Sequence, residues 1–125
     1  MLLQEAKILG EMYLHKFGLT EWKFGFKKRR INFRSSGTCH ISRKEIRLQP
    51  QFVELNEPKI VENTILHEVA HALTIGHGHN NVWKCKALEI GCNAKRCYGK
   101  EVVREKDLTE RHNGFSLFIG LTAQK

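Results

Sequence analysis

His67-Glu68-Val69-Ala70-His71 stands inside an amphipathic run, and few short folds can accommodate it. Ile60, Val61, Thr64, Ile65, Val69, Ala72 and Leu73 recur at helical spacing. Asn56-Glu57-Pro58 reads as a helix start, because a proline in the first turn gives up an N–H that would have no partner there. Gly76 reads as the end, which predicts a helix over about 58–75. On a helix, residues four apart share a face, about 40° out of register. His67 and His71 can therefore turn two imidazole nitrogens toward one ion. Glu68 lies about 100° round from His67. Its carboxylate is then beside the metal, not on it, where it can take a proton from a water that the metal activates.

Catalytic zinc takes three protein ligands and keeps one position open. Three residues are candidates for the third. His77 lies six residues after His71, a metzincin spacing, but the only methionines are Met1 and Met12, so no methionine turn follows. Thr74 also stands where the metzincin chain has a glycine. His79 precedes an N-cap-like Asn80, from which Trp83, Ala87, Leu88 and Ile90 restart a helical pattern over about 80–91. Glu89 on that helix is a third possibility, as in gluzincins.

The formal charge of +8 is concentrated in one segment. Between Lys23 and Arg47 there are nine Lys or Arg and a single acid, Glu45, a net +8 that accounts for the whole excess. Residues 48–83 instead carry −3. Lys27, Lys28, Arg29, Arg30 and Arg34, interleaved with Phe24, Phe26 and Phe33, form a patch suited to phosphates. Basic residues at a strand edge also discourage aggregation, a plainer role for the same residues.

The remaining segments read as a small α+β domain. Leu2, Leu3, Ala6, Leu9, Tyr13, Leu14 and Phe17 form one stripe of a helix over 2–17, closed by Gly18. Trp22, Phe24 and Phe26 alternate with Lys23, Gly25 and Lys27 as a strand does. Ile31–Arg34, Thr38–Ile41 and Glu45–Leu48 read as further strands, and residues 50–55 as a short helical turn. The expected architecture is α+β, a small antiparallel sheet packed against helices. The 125 residues are enough for a real core and are expected to form a single domain, a monomer, with residues 99–125 an unassigned tail. No stretch approaches the ~20 apolar residues of a membrane span, so no membrane partner is expected. The N-terminus lacks the pattern of a signal peptide, and four cysteines without framework spacing suit a reducing compartment. The expected compartment is the cytoplasm of a bacterium or phage-infected cell, or the nucleus of a eukaryote. Cys92 and Cys97 read as ordinary thiols, since a four-residue spacing without a second pair is not a metal framework.

Thr64–Leu73, followed by Gly78-His79-Asn80-Asn81-Val82-Trp83-Lys84, resembles the SprT-like (Spartan-type) metalloprotease domain. Gly37-Thr38-Cys39 with Lys44–Leu48 resembles that family's strand pair, and Glu89–Cys92 with Arg96-Cys97-Tyr98 its later segment. The match covers about residues 20–98 and is much more specific than the five-residue motif alone. The resemblance implies a zincin-like minimal metalloprotease with one Zn²⁺. Its third ligand would be a histidine four residues before an aromatic, the spacing of His79 and Trp83, which ranks His79 ahead of His77. It also implies peptidase activity, in several members on DNA-bound proteins or DNA–protein crosslinks. Many relatives carry a C-terminal zinc ribbon with paired Cys-x-x-Cys knuckles, and this chain has no such pair.

The expected activity is thus hydrolysis of a protein or peptide by a zinc metalloendopeptidase, with His67, His71 and His79 as metal ligands and Glu68 as general base. The basic 23–47 segment would contact single- or double-stranded DNA. Two other classes compete. A zinc-dependent endoribonuclease would use His67, His71 and His77, but its family does not characteristically carry a glutamate after the first histidine. A non-catalytic DNA-binding module would close a structural zinc site with a fourth protein ligand.

Overall fold

The computed structural model describes residues 1–30 and 33–95. In chain order these form α1 (Leu3–Lys16), β1 (Lys23–Phe26), β2 (Gly37–His40), β3 (Glu45–Leu48), α2 (Pro50–Leu55), α3 (Pro58–Leu73) and α4 (Asn81–Ile90). The α+β reading holds, and the elements fall within a residue or two of their expected bounds. Two features differ. Phe33 and Arg34 lie outside any strand, and Phe33 is a core residue; Ile31 and Asn32 fall outside the described residues. The sheet is also mixed. Its order is β1-β3-β2, with β3 antiparallel to β2 but parallel to β1. Parallel neighbours need a connection of about a dozen residues or more. The span from β1 to β3, which contains β2, is long enough, and alternation alone does not reveal strand order.

Register sorts the sheet into two faces. Phe24, Ile46 and Cys39 are aligned across the three strands, as are Phe26, Leu48 and Gly37. This face packs on the helices, and Phe24, Ile46 and Leu48 join Val61, Ile65 and Val69 of α3 in the main core. Lys23, Glu45, Arg47 and Thr38 lie on the opposite face. The Arg47–Glu45 pair at 3.0 Å and the Lys44–Glu21 pair at 2.6 Å are on the surface, where such pairs are worth at most about 1 kcal/mol.

α1 approaches β1 so closely that Gly10 has no room for a side chain. A Cβ there would sit 2.4 Å from Cδ2 of Phe24, with two more ring atoms within 2.6 Å. Gly→Ala inside an open helix ordinarily stabilises by about 1 kcal/mol. Here the ring must move, and overpacking of this kind costs about 1–3 kcal/mol. Gly10→Ala is therefore expected to lower the urea midpoint, as followed by circular dichroism. A raised midpoint would mean that α1 can lift off β1 at little cost.

Local features of the chain then fix the surroundings of α3. Pro58 stands in its first turn after Glu57. The helix stops at Leu73, two residues short of the expected end, as the Thr74 hydroxyl donates back to the Ala70 carbonyl at 2.7 Å. Gly76 (φ +89°) and Gly78 (φ +57°) follow in left-handed conformations, which reverse the chain toward α3. α4 begins at Asn80, whose Oδ1 accepts from the N–H groups of Val82 and Trp83 at 3.0 and 3.2 Å.

Candidate metal centre

The reversal after α3 delivers His79 to the face that His67 and His71 share. Nε2 of His79 lies 3.2 Å from Nε2 of His67 and 3.0 Å from Nε2 of His71. The ligand atoms of all three lie within 4.8 Å of one another. Two ligands of a tetrahedral zinc with bonds of about 2.05 Å stand about 3.3 Å apart. The three rings therefore converge as they would around one small cation. Without a cation such a convergence is awkward, because one shared proton cannot satisfy three facing nitrogens. Nitrogen donors alone suit zinc and its neighbours among the divalent transition metals.

Trp83 holds this geometry from behind. It is fully buried, and its ring centroid lies 4.7 Å from His67, 5.2 Å from His71 and 4.7 Å from His79. Its indole N–H reaches the His67 carbonyl at 3.4 Å. The four-residue spacing from His79 to Trp83 thus has a physical meaning: the first turn of α4 carries the aromatic that backs all three imidazoles. Leu66, Ala70, Ala87 and Cys92 complete this second core.

Burial keeps His67 and His71 neutral. It is the main cause that pushes His67 down from 6.5 to about 3, with the neighbouring His71 and His79 adding to it and a hydrogen bond to the Lys95 backbone opposing. His71 is pushed down to about 4, again by burial first and His79 second. Neutral imidazole is the form that binds metal. The same shifts make a stability prediction for the metal-free protein. Below 6.5 the unfolded chain protonates these two histidines while the folded chain does not, so stability falls with pH from about 6.5 toward 4. Glu68, raised by burial, works the other way between 4.5 and about 7, but two sites outweigh one. Urea midpoints of the metal-free protein between pH 7 and 4 are expected to fall, and His67→Asn to flatten the slope. A pH-independent midpoint would contradict these shifts.

Glu68 follows His67 on α3. It is buried, and desolvation raises its carboxyl to about 7, with Lys27 as the opposing charge. β2 runs alongside α3 here as an edge strand. Gly37 makes the closest approach: a Cβ would lie 2.8 Å from Cδ2 of Leu48, 3.3 Å from Cγ2 of Thr64 and 3.4 Å from Cγ of Glu68. The bare backbone of β2 at Gly37 thus packs against the Glu68 side chain. Periodicity gave no hint of this contact, because Gly37 falls just outside the strand that alternation marks over Thr38–Ile41.

His77 and Glu89 stand apart from the triad. His77 is exposed, with Nδ1 3.2 Å from the Asn80 amide, and Glu89 is exposed and pairs with Lys86 at 3.0 Å. Among the described residues no fourth ligand joins the group.

The five cations of the basic patch have separate fates. Arg29 forms a two-pronged pair with Glu54, at 2.8 and 2.6 Å. Lys27 turns inward to the Ser35 carbonyl at 3.3 Å. Lys28, Arg30 and Arg34 are exposed. Their loop is held from below by two buried glutamines: Gln49 donates to the Lys28 carbonyl at 3.3 Å and Gln51 to the Arg30 carbonyl at 2.6 Å. Sequence alone could not have revealed this sorting, since all five positions carry the same charge. Of the cysteines, Cys39, Cys85 and Cys92 are free thiols, and Cys97 lies outside the described residues, as does the 99–125 tail. No helix among the described residues is long and apolar enough to cross a membrane.

A family model, that of the SprT-like family, matches residues 4–104. No curated protein is similar enough to count as a match.

Proposed function

The chain belongs to the SprT-like family, and we propose that it is a zinc-dependent peptidase acting on DNA-associated proteins, DNA–protein crosslinks among them. The observation that carries this reading is the pairing of three convergent imidazoles with a buried carboxylate one residue along the same helix. A structural site has no use for such a carboxylate and would bring a fourth ligand. His67, His71 and His79 would hold the ion through neutral nitrogens. Zinc, when bound there, would polarise a scissile carbonyl and make a water acidic enough to attack near neutral pH. Glu68 takes the proton of that water as its oxygen adds to the carbonyl carbon. It then hands the proton to the departing amide nitrogen as the C–N bond breaks. Burial raises this carboxyl above the ordinary carboxylate range, which helps it hold the proton between the two transfers. The β2 edge gives an extended substrate a strand to pair with beside the base.

The patch supports a polyanion partner. Lys28, Arg30 and Arg34 are exposed, as is the Glu54-paired Arg29, and the glutamine-anchored loop presents Lys28 and Arg30 outward. Three phosphate contacts correspond to a slope of about −2 to −3 in log affinity against log salt. The triple variant Lys28→Ala, Arg30→Ala, Arg34→Ala is expected to remove most of that slope, as read by fluorescence anisotropy on single- and double-stranded DNA. An unchanged slope would place the contact elsewhere. The peptidase reading itself is tested by incubating the zinc-loaded protein with a DNA-binding protein, with a chelator in one arm and zinc added back in another. Cleavage lost and regained with the metal is expected. Cleavage of RNA in place of protein would favour a nuclease.

A further inference from the structure

Lys27 is the one member of the basic run that faces the interior. Its side chain is half-buried, and its ammonium donates to the backbone carbonyl of Ser35, eight residues on. Its own N–H donates to the Leu48 carbonyl at 2.8 Å, where β3 ends. The segment it reaches is the entry to β2. There the Ser35 hydroxyl donates to the Gly37 carbonyl at 2.5 Å, and the Gln49 N–H to the Ser36 carbonyl at 2.8 Å. Gly37 is the residue that lies against Glu68. One side chain thus ties the exit of β1 to the entry of β2, at the point where β2 crosses the base.

Packing alone does not account for this residue. A half-buried ammonium carries a desolvation cost that a methionine stem would avoid. It has three donors, one of them on Ser35. Among the described residues its charge acts mainly on Glu68, not on the triad.

We propose that Lys27 is a positioning residue of the peptidase site: bound to the Ser35 carbonyl, it seats residues 35–37 so that the β2 edge lies over Glu68 and receives substrate in register. The role rests on the peptidase reading. The seating of β2 is measured separately from catalysis, so the two can fail independently.

The test compares Lys27→Met, which keeps the stem and drops the donor, with Lys27→Arg, which keeps charge and donors. Both are made in the full zinc-loaded chain, with metal content checked. Amide hydrogen exchange over residues 36–40 is followed by mass spectrometry, and kcat and KM are measured on an unfolded protein substrate. Loss of a charge-assisted hydrogen bond predicts exchange about tenfold faster, or more, in Lys27→Met. KM rises by a similar factor while kcat changes less, and Lys27→Arg restores both. Unchanged exchange at 36–40 would overturn the proposal even if activity fell, and so would faster exchange with an unchanged KM. If the wild type cleaves nothing, the peptidase reading fails and the catalytic role of Lys27 fails with it; the exchange result then decides only whether Lys27 seats β2. Should Lys27→Met fail to fold, Lys27→Leu makes the same comparison, again without charge or donor.

Discussion

Glu68→Gln is expected to leave a folded, metal-loaded protein that no longer cleaves. The amide is nearly the size of the carboxyl and fits the same buried place against β2, so neither the core nor the triad should move. It cannot accept a proton near neutral pH. A positioned general base contributes about 10²–10⁴-fold to rate, and the loss should fall in that range or beyond it. Stability should hold or improve slightly, because a buried carboxyl that resists ionisation is replaced by a group that does not ionise. The measurement is kcat/KM on an unfolded protein alongside metal content by elemental analysis. Retained cleavage would remove Glu68 from the chemistry. Lost metal would mean that it acts through the site and not on the substrate.

The second large effect is expected at His79. His79→Ala should reduce zinc affinity by several orders of magnitude, since it leaves two imidazoles on one helix with no third nitrogen between them. His77→Ala should leave affinity unchanged, because His77 is exposed and touches Asn80 instead. Competition with a chromogenic chelator gives both numbers. The pair of variants is decisive because the two histidines are two residues apart and equally plausible by composition. If His77→Ala lost the metal and His79→Ala kept it, the chain reversal at Gly76 and Gly78 would be misdescribed, and the ligand set of the nuclease alternative would become the better one.

Much of this site was legible in the sequence because helical periodicity is rigid. A four-residue spacing on a helix can only place His67 and His71 together and Glu68 beside them. His79 was harder. Its position depends on left-handed glycines after Leu73; its place before the N-cap-like Asn80 made it a candidate, and the family resemblance, through the spacing to Trp83, ranked it ahead of His77. The sheet was legible strand by strand but not in order. Alternation marks which residues of a strand are buried, whereas the insertion of β3 between β1 and β2 depends on how far the 27–44 connection carries the chain. The contacts made by backbone atoms were not legible at all. Gly37 over Glu68, Gly10 under Phe24 and the Ser35 carbonyl on Lys27 are set by close approach of elements distant in sequence. The basic segment shows the same limit: charge counts five equal cations, and the fold pairs one at the surface, turns one inward and leaves three more exposed.

The most direct test of a peptidase is the fate of the water. Zinc-loaded wild-type protein is incubated with a DNA-binding protein in water enriched in oxygen-18, with and without single-stranded DNA, and the fragments are analysed by mass spectrometry. Hydrolysis predicts new termini within the substrate and heavy oxygen in each new C-terminal carboxyl. An intact substrate under every condition, with the metal bound, would contradict the account.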